Sequence, residues 1–275
     1  MIGVGIVSFN RPYYLRRLLK SLMAQTELDN AEFHLLQDGA VNVYSDIRYA
    51  NDFDIGACVK LFNHARLPGK QVHRQEHNVG IAINQREGIG WLSEMYERIM
   101  IIEDDVLLSP HWFRLASILF DEMEGQSDVF GFTPGFRRLC DKGATLDNLG
   151  YVERTKQHLW TECFTAQSWR GIQEHLAPFY ALVSDCDYDN RPRKEISEMH
   201  LERGASKGDT SQDWARVVAI ELSGMKRMQC TVNRGMSIGR HGVNFNSSFY
   251  DMMKLSEQTP YTFEDDAIRD GFEWR

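Results

Sequence analysis

In Arg98-Ile99-Met100-Ile101-Ile102-Glu103-Asp104-Asp105-Val106, an uninterrupted apolar run stops against three consecutive carboxylates. The run is too short for an amphipathic helix and apolar at every position, so it reads as a strand covered on both faces. In an open α/β sheet the carboxyl end of such a strand is where loops and helix termini converge on a ligand. Three adjacent carboxylates repel one another and need either solvent or a counter-charge. Their hard oxygen donors suit Mg²⁺ or Mn²⁺. A solvated acidic turn ahead of the helix begun by Ser109-Pro110 is the competing reading, and the pattern alone does not separate the two.

Outward from this run, strands and helices alternate. Ile2 to Ser8 is apolar and stops at Asn10-Arg11-Pro12; Tyr13 to Gln25 then has helical apolar spacing. Further strands are predicted at Glu32–Leu36 and Gln71–Gln75, and helices at Ile55–His64 and Ile81–Met95, the last despite Gly88 and Gly90. Beyond the acidic run we expect a helix over Trp112 to Phe120, strands at Val129–Thr133 and Thr161–Ala166, and helices at Ser168–Leu176 and Asp213–Leu222. The polar, charged stretch 185–208, with Pro192, Gly204 and Gly208, reads as a mobile loop. The fold class is therefore α/β, a mostly parallel central sheet flanked by helices, with length enough for a smaller lobe.

Composition bounds the function. The chain has 275 residues, 43% hydrophobic and 25% charged, which excludes fibrous and disordered classes. Its 31 Lys+Arg against 39 Asp+Glu give a charge of −8, which argues against nucleic acid as a partner but not against a local basic cleft. The five cysteines (Cys58, Cys140, Cys163, Cys186 and Cys230) form no CxxC, and their odd count precludes a complete intrachain disulfide framework. Together with a start, MIGVGIVSFNRP, that lacks signal-peptide features, and no apolar run long enough to span a bilayer, this points to a cytoplasmic chain without a transmembrane segment. Asn246-Ser247-Ser248 is a glycosylation sequon too common to count against that expectation.

Three further places carry candidate chemistry. Phe9-Asn10-Arg11 and Gln37-Asp38-Gly39 each follow a strand at its ligand-binding end. Arg11 suits a charge-assisted bond to a nucleotide or to an acidic partner, and Asp38 an N–H of a base; both segments are equally ordinary turns. Asp213-Trp214 offers a general base and a sugar-stacking platform, or a helix cap and a core aromatic. Gly239-Arg240-His241-Gly242-Val243 has the shape of a loop approaching phosphate, and also of a plain tight loop.

Taken in order, four of these segments resemble the GT-A type nucleotide-sugar glycosyltransferases. Within that fold the likeness is to the N-acetylglucosaminyltransferase I group with its protein O-mannose relative. The segments are Ser8-Phe9-Asn10-Arg11, Leu36-Gln37-Asp38, Ile101 to Val106 with Ser109-Pro110, and Met236 to Val243, so that the resemblance covers roughly residues 1 to 255. It implies a GT-A, Rossmann-like fold, with a nucleotide-sugar-binding part over 1–134 and an acceptor-binding, catalytic part over 135–275 in one continuous domain. It implies transfer of a sugar, N-acetylglucosamine or a related hexose, from a UDP-sugar donor to a hydroxyl of a glycan, glycolipid or glycoprotein acceptor, with inversion and with Mn²⁺ or Mg²⁺ as cofactor.

The resemblance also assigns roles. Asp105 matches the metal-holding carboxylate. Glu103 and Asp104 match residues that position the ribose, base or sugar, Asp38 the uracil-side carboxylate, and Arg11 an arginine of the nucleotide pocket. Arg240 and Gly242 lie in a loop, Gly239 to Asn244, that matches one closing over the donor; the group has a lysine where this chain has His241. Asp213 matches the catalytic base, but the group's Asp-Asp-Trp reads Gln212-Asp213-Trp214 here, which leaves Asp209 and Glu162 in reserve. Trp160, Trp169 and Trp214 are candidates to pack against acceptor sugars, with core packing as the plainer reading. Two other classes compete, a metal-dependent hydrolase using the same carboxylates and a non-catalytic carbohydrate-binding relative. A second acidic run, Glu264-Asp265-Asp266, reads as a surface helix start.

Overall fold

The computed structural model describes residues 1–135, 150–156, 160–242, 247–252 and 272–274. Cys140, Leu159, Val243, Asn244, Asn246 and the run Glu264-Asp265-Asp266 lie outside the described residues. The first half follows the expected alternation: β1 (Ile2–Ser8), α1 (Pro12–Met23), β2 (Ala31–Gln37), α2 (Asp52–His64), β3 (Lys70–Arg74), α3 (Gly80–Met95) and β4 (Arg98–Glu103). It continues with β5 (Val106–Leu108), α4 (Trp112–Met123), β6 (Val129–Thr133), β7 (Tyr151–Thr155) and β8 (Thr161–Thr165). Then come α5 (Ala166–Gly171), α6 (Gln173–Val183), α7 (Arg193–Glu202), α8 (Gln212–Leu222), β9 (Lys226–Cys230), β10 (Gly235–Ser237), α9 (Ser247–Met252) and β11 (Glu273–Trp274).

Among the described residues nine strands form one sheet in the order β11-β7-β9-β6-β8-β4-β1-β2-β3. The β4-β1-β2-β3 half is parallel. β8 then runs antiparallel between β4 and β6, so the sheet is mixed. The sheet crosses residue 134 without a break, and the two halves of the chain share it. Two cores cover its faces. α1, α2 and α4 pack on one through Leu18, Phe62 and Trp112, and α3, α5, α6 and α8 on the other through Leu92, Trp169, Phe179 and Ala219. β1 serves both because its residues alternate in size. Val4 and Ile6 fill the first core, while Gly3 and Gly5 leave room on the second for Tyr96 and Leu92, whose rings and methyls lie within 3 Å of where a Cβ would stand.

Two expectations are corrected. The stretch 185–208 is not all loop: α7 forms within it because Ile196 and His200, one turn apart and both buried, give an otherwise charged segment an inward stripe. The single helix expected over Ser168–Leu176 is two, divided at the buried Ile172, where α5 ends after Gly171 and α6 begins. Gly88 and Gly90 do not interrupt α3. At the far end Trp274 Nε1 donates to Glu122 of α4 at 2.8 Å, tying β11 to the first half. No helix among the described residues is long and apolar enough to cross a membrane.

Candidate active site

The parallel strands β1, β2 and β4 end side by side and deliver Arg11, Asp38 and the acidic triplet to one end of the sheet. Pro12 starts α1, so Arg11 stands at its N-cap position and its side chain crosses to the β4 turn. There the guanidinium spans both aspartates. Nη2 pairs with Asp104 and Nη1 with Asp105 Oδ2 at 2.8 Å. Arg11 is thus the counter-charge that the triplet requires. The carboxylates are 1% and 5% exposed, whereas the Arg11 side chain keeps 26% of its surface. Burial opposes its charge, but Asp104 and Asp105 outweigh that and hold the guanidinium firmly protonated. Burial pushes Asp104 up to about 6 despite Arg11. Glu103 is raised well above the carboxylate range by burial and then by the neighbouring Asp105 and Asp213.

A second lock sits on Asp105. β5 pairs with β10, which carries the chain back over the triplet, and the Ile238 N–H donates to the Asp105 carbonyl at 2.8 Å. Gly239 then lies so close that a Cβ there would stand 2.0 Å from Asp105 Oδ2. The next two amides, of Arg240 and His241, both donate to the Tyr14 hydroxyl, at 3.1 and 3.0 Å. Tyr14 belongs to α1, and its ring lies under the Arg11 guanidinium at 5.4 Å. The Arg240 side chain points away from the acidic pair to Asp251 of α9 at 2.9 Å, while Gly242 and His241 are exposed at the rim.

Asp38 is buried and fully engaged. Its Oδ1 accepts from Gly39 N–H and Val79 N–H, and its Oδ2 from Asn78 Nδ2 and Gly80 N–H, all between 2.8 and 3.1 Å. Four donors fill the usual acceptor capacity of a carboxylate. Asp38 therefore caps α3 from the neighbouring strand and shapes the 77–80 turn, and its lone pairs are spent on the protein. Burial still pushes it up to about 6. Gln37 donates to the Phe9 carbonyl at 2.7 Å, which pins the loop that carries Arg11.

Asp213 comes from the far half of the sheet. Ser211 caps α8 by accepting the Trp214 N–H, which sets Asp213 in the first turn, half-buried and electrostatically coupled to Glu103. One turn on, buried Arg216 donates to Glu162 Oε2 at 2.6 Å and to Gln85 of α3 at 2.7 Å, and Arg227 pairs with the other oxygen of Glu162 at 2.5 Å. Glu162 is therefore clamped between two guanidiniums and is corrected as a reserve base. Asp209 is engaged at the approach to α8: its Oδ1 accepts from Ser211 N–H at 2.9 Å and its Oδ2 from Lys207 at 3.1 Å, and these partners lower it to about 2 despite burial.

The tryptophans divide. Trp160 is half-buried beside the triplet, and its carbonyl accepts the Glu103 N–H at 2.9 Å. Trp214 is corrected: it is 5% exposed, donates from Nε1 to the Lys207 carbonyl at 2.9 Å, and packs on Val217, Val218 and Ala205, so its ring is not open to a sugar. Trp169 is likewise core, against Phe164. The sequence reading missed Tyr14, Asn78 and the Glu162–Arg216–Gln85 chain; the one signal was their polar type within otherwise apolar segments.

The residues present fit a hard divalent cation. Asp104 Oδ2 and Asp105 Oδ1 are buried without a hydrogen-bond partner. Among the described residues no group of three His, Cys, Asp or Glu side chains is placed to hold a metal, so further ligands would come from outside the protein. Mg²⁺-type sites are commonly completed by substrate phosphates.

The mixed sheet, with its acidic turn at the end of the parallel strands, is a Rossmann-like α/β fold. Solved structures of TarS from S. aureus share it. The 1–349 fragment in complex with UDP-GlcNAc superimposes with a TM-score of 0.53 at 14% identity, and its complex with UDP with 0.51 at 14% identity. Each comparison covers 92% of this chain, which spans 64% and 63% of the respective TarS chains. No protein-family model and no curated protein sequence matches the chain.

Proposed function

We propose that the chain is a glycosyltransferase. It would transfer N-acetylglucosamine or a related hexose from a UDP-sugar to a hydroxyl of a glycan, glycolipid or glycoprotein, with inversion. The observation that carries this is the Arg11–Asp104–Asp105 cluster at the carboxyl end of the parallel strands; Asp213 of α8, whose charge acts on Glu103, is the base we assign to it. Supporting it are the fold shared with TarS structures that contain UDP and UDP-GlcNAc, and the four segments that resemble the N-acetylglucosaminyltransferase I group. The absence of CxxC spacing and the odd number of cysteines support a reading in a reducing, cytoplasmic setting.

Asp213 takes the proton of the acceptor hydroxyl as that oxygen bonds to the anomeric carbon. The bond from that carbon to the diphosphate breaks, and UDP leaves with the electron pair. Asp104 and Asp105 would hold a divalent cation, whose charge offsets the negative charge that grows on the departing diphosphate. Arg11 binds the diphosphate, and Asp38, by fixing the turn 77–80, shapes the base pocket. Trp160 lines the acceptor side.

Asp213→Asn decides the assignment of the base. With UDP-GlcNAc and Mn²⁺, release of UDP in the presence of acceptor should fall by roughly two to four orders of magnitude while UDP affinity stays within about threefold. A variant that keeps wild-type turnover removes Asp213 from the mechanism. If the wild type binds UDP but releases none with any sugar donor, the non-catalytic reading replaces the transferase.

A further inference from the structure

We propose that Arg11 makes cation binding conditional on the diphosphate, so that this site selects a cation–nucleotide pair and rejects the free divalent ion. This rests on the donor-site reading above and adds a specificity role for one residue.

Access comes first. Asp104 and Asp105 are almost wholly buried, and Arg11, the most exposed member of the cluster, is bonded to both. The oxygens not bonded to Arg11, Asp104 Oδ2 and Asp105 Oδ1, have no partner and no contact with solvent. Asp105 Oδ2 is closed from the other side by the Gly239 backbone. A cation arriving alone must therefore displace a guanidinium bonded to both aspartates. Charge points the same way. Arg11 cancels one of the two negative charges it touches, which weakens the pull on a hydrated dication that sheds water reluctantly.

A diphosphate changes both terms. It offers the guanidinium planar, two-pronged anionic contacts in place of the aspartates. It also adds negative charge and oxygen ligands for the cation that the carboxylates alone do not supply. Arg11 keeps a support as it turns, because its guanidinium already rests on the Tyr14 ring. That hydroxyl holds the amides of Arg240 and His241, so the loop over the site is anchored to the same helix turn.

The full chain is titrated calorimetrically with Mn²⁺ alone and with Mn²⁺ at saturating UDP, as wild type, Arg11→Gln and Arg11→Lys. Wild type should bind Mn²⁺ weakly alone and about a hundredfold more tightly with UDP. Arg11→Gln should bind Mn²⁺ alone about tenfold or more tightly than wild type, with the gain from UDP shrunk by the same factor. Arg11→Lys, which keeps the charge, should stay nearer wild type. Thermal melts cover a weakly folded variant: Mn²⁺ without nucleotide should raise the Tm of Arg11→Gln and leave wild type unmoved. Equal Mn²⁺ affinity in wild type and Arg11→Gln, or an equal Tm rise, overturns the proposal. If UDP fails to bind wild type even with Mn²⁺, the donor-site reading fails, while the comparison in Mn²⁺ alone still decides the role of Arg11.

Discussion

Asp105 Oδ2 is enclosed by the Arg11 guanidinium on one side and the backbone of Gly239 on the other, which leaves no space for one more carbon. Gly239→Ala would set a methyl 2.0 Å from that oxygen and 2.7 Å from its Cγ, so either the carboxylate or the loop must move. Overpacking of this kind costs about 1–3 kcal/mol. We expect a Tm lower by a few degrees and, as the sharper effect, UDP affinity in Mn²⁺ weakened about tenfold or more. Unchanged UDP affinity would mean the loop does not bear on the donor. The acidic triplet and Arg11 were visible in the sequence as candidates, each at the end of an apolar strand, with a solvated turn equally open; the ion pair that joins them was not visible. Gly239 was legible as a loop residue but not as the residue touching Asp105, since that contact comes from β5–β10 pairing across more than a hundred residues. Tyr14 was hidden for a different reason: an aromatic at helical spacing looks like core, and it is mostly buried, yet its hydroxyl carries the loop. Trp214 takes the plainer of the two readings its sequence allowed. Its indole reached a backbone carbonyl and a small core, so the aromatic signal was structural.

Elements were readable where burial is periodic and local. β1, β4 and β6 are apolar runs between turn residues, and α1 and α4 show their inward faces directly. β9 was not readable. Lys-Arg-Met-Gln-Cys has polar residues at buried positions because Arg227 meets Glu162 and Gln229 Nε2 donates to Glu153 at 2.8 Å. Those partners lie on other strands, and no local pattern announces them. The same polar chain fixes α8, and with it Asp213. Arg216 joins α8 to β8 through Glu162 and to α3 through Gln85, at 2.6 and 2.7 Å. Arg216→Met keeps the volume but leaves Glu162 with Arg227 alone and Gln85 without its donor. Removing one partner from a buried ion pair typically costs about 3–5 kcal/mol; with Arg227 retained we expect about 3. Urea unfolding should show the midpoint shift with little change in slope. A shift below about 1 kcal/mol would mean that apolar packing alone seats α8.

For the whole molecule, acid and base groups buried in the fold set opposing responses to pH. His34 donates or accepts between Tyr96 and His73 at 3.0 and 3.3 Å, beneath Trp91 and beside Glu32. Burial, and then the neighbouring His73, lower it to about 4. Burial lowers His73 and His200 as well. A histidine with a depressed pKa takes up its proton more readily when unfolded, so its contribution is whole above about 6.5 and is lost as pH falls toward 4. For His34 that loss approaches about 3 kcal/mol. Asp38 works the other way. Raised to about 6, it binds its proton more tightly in the folded chain, so acidification from about 6 to 4 stabilises the fold by up to a similar amount. Glu103 and Asp104 are raised too and act in the same sense. The two sets act in opposite senses between pH 4 and 6.5. Single substitutions should separate them. His34→Phe removes the acid-labile group, so its stability relative to wild type should rise between pH 7 and 4. Asp38→Asn removes the compensating carboxyl, so its relative stability should fall over the same range. Urea unfolding at pH 7, 5 and 4 measures both. Parallel curves for the three proteins would show that neither group titrates differently on folding.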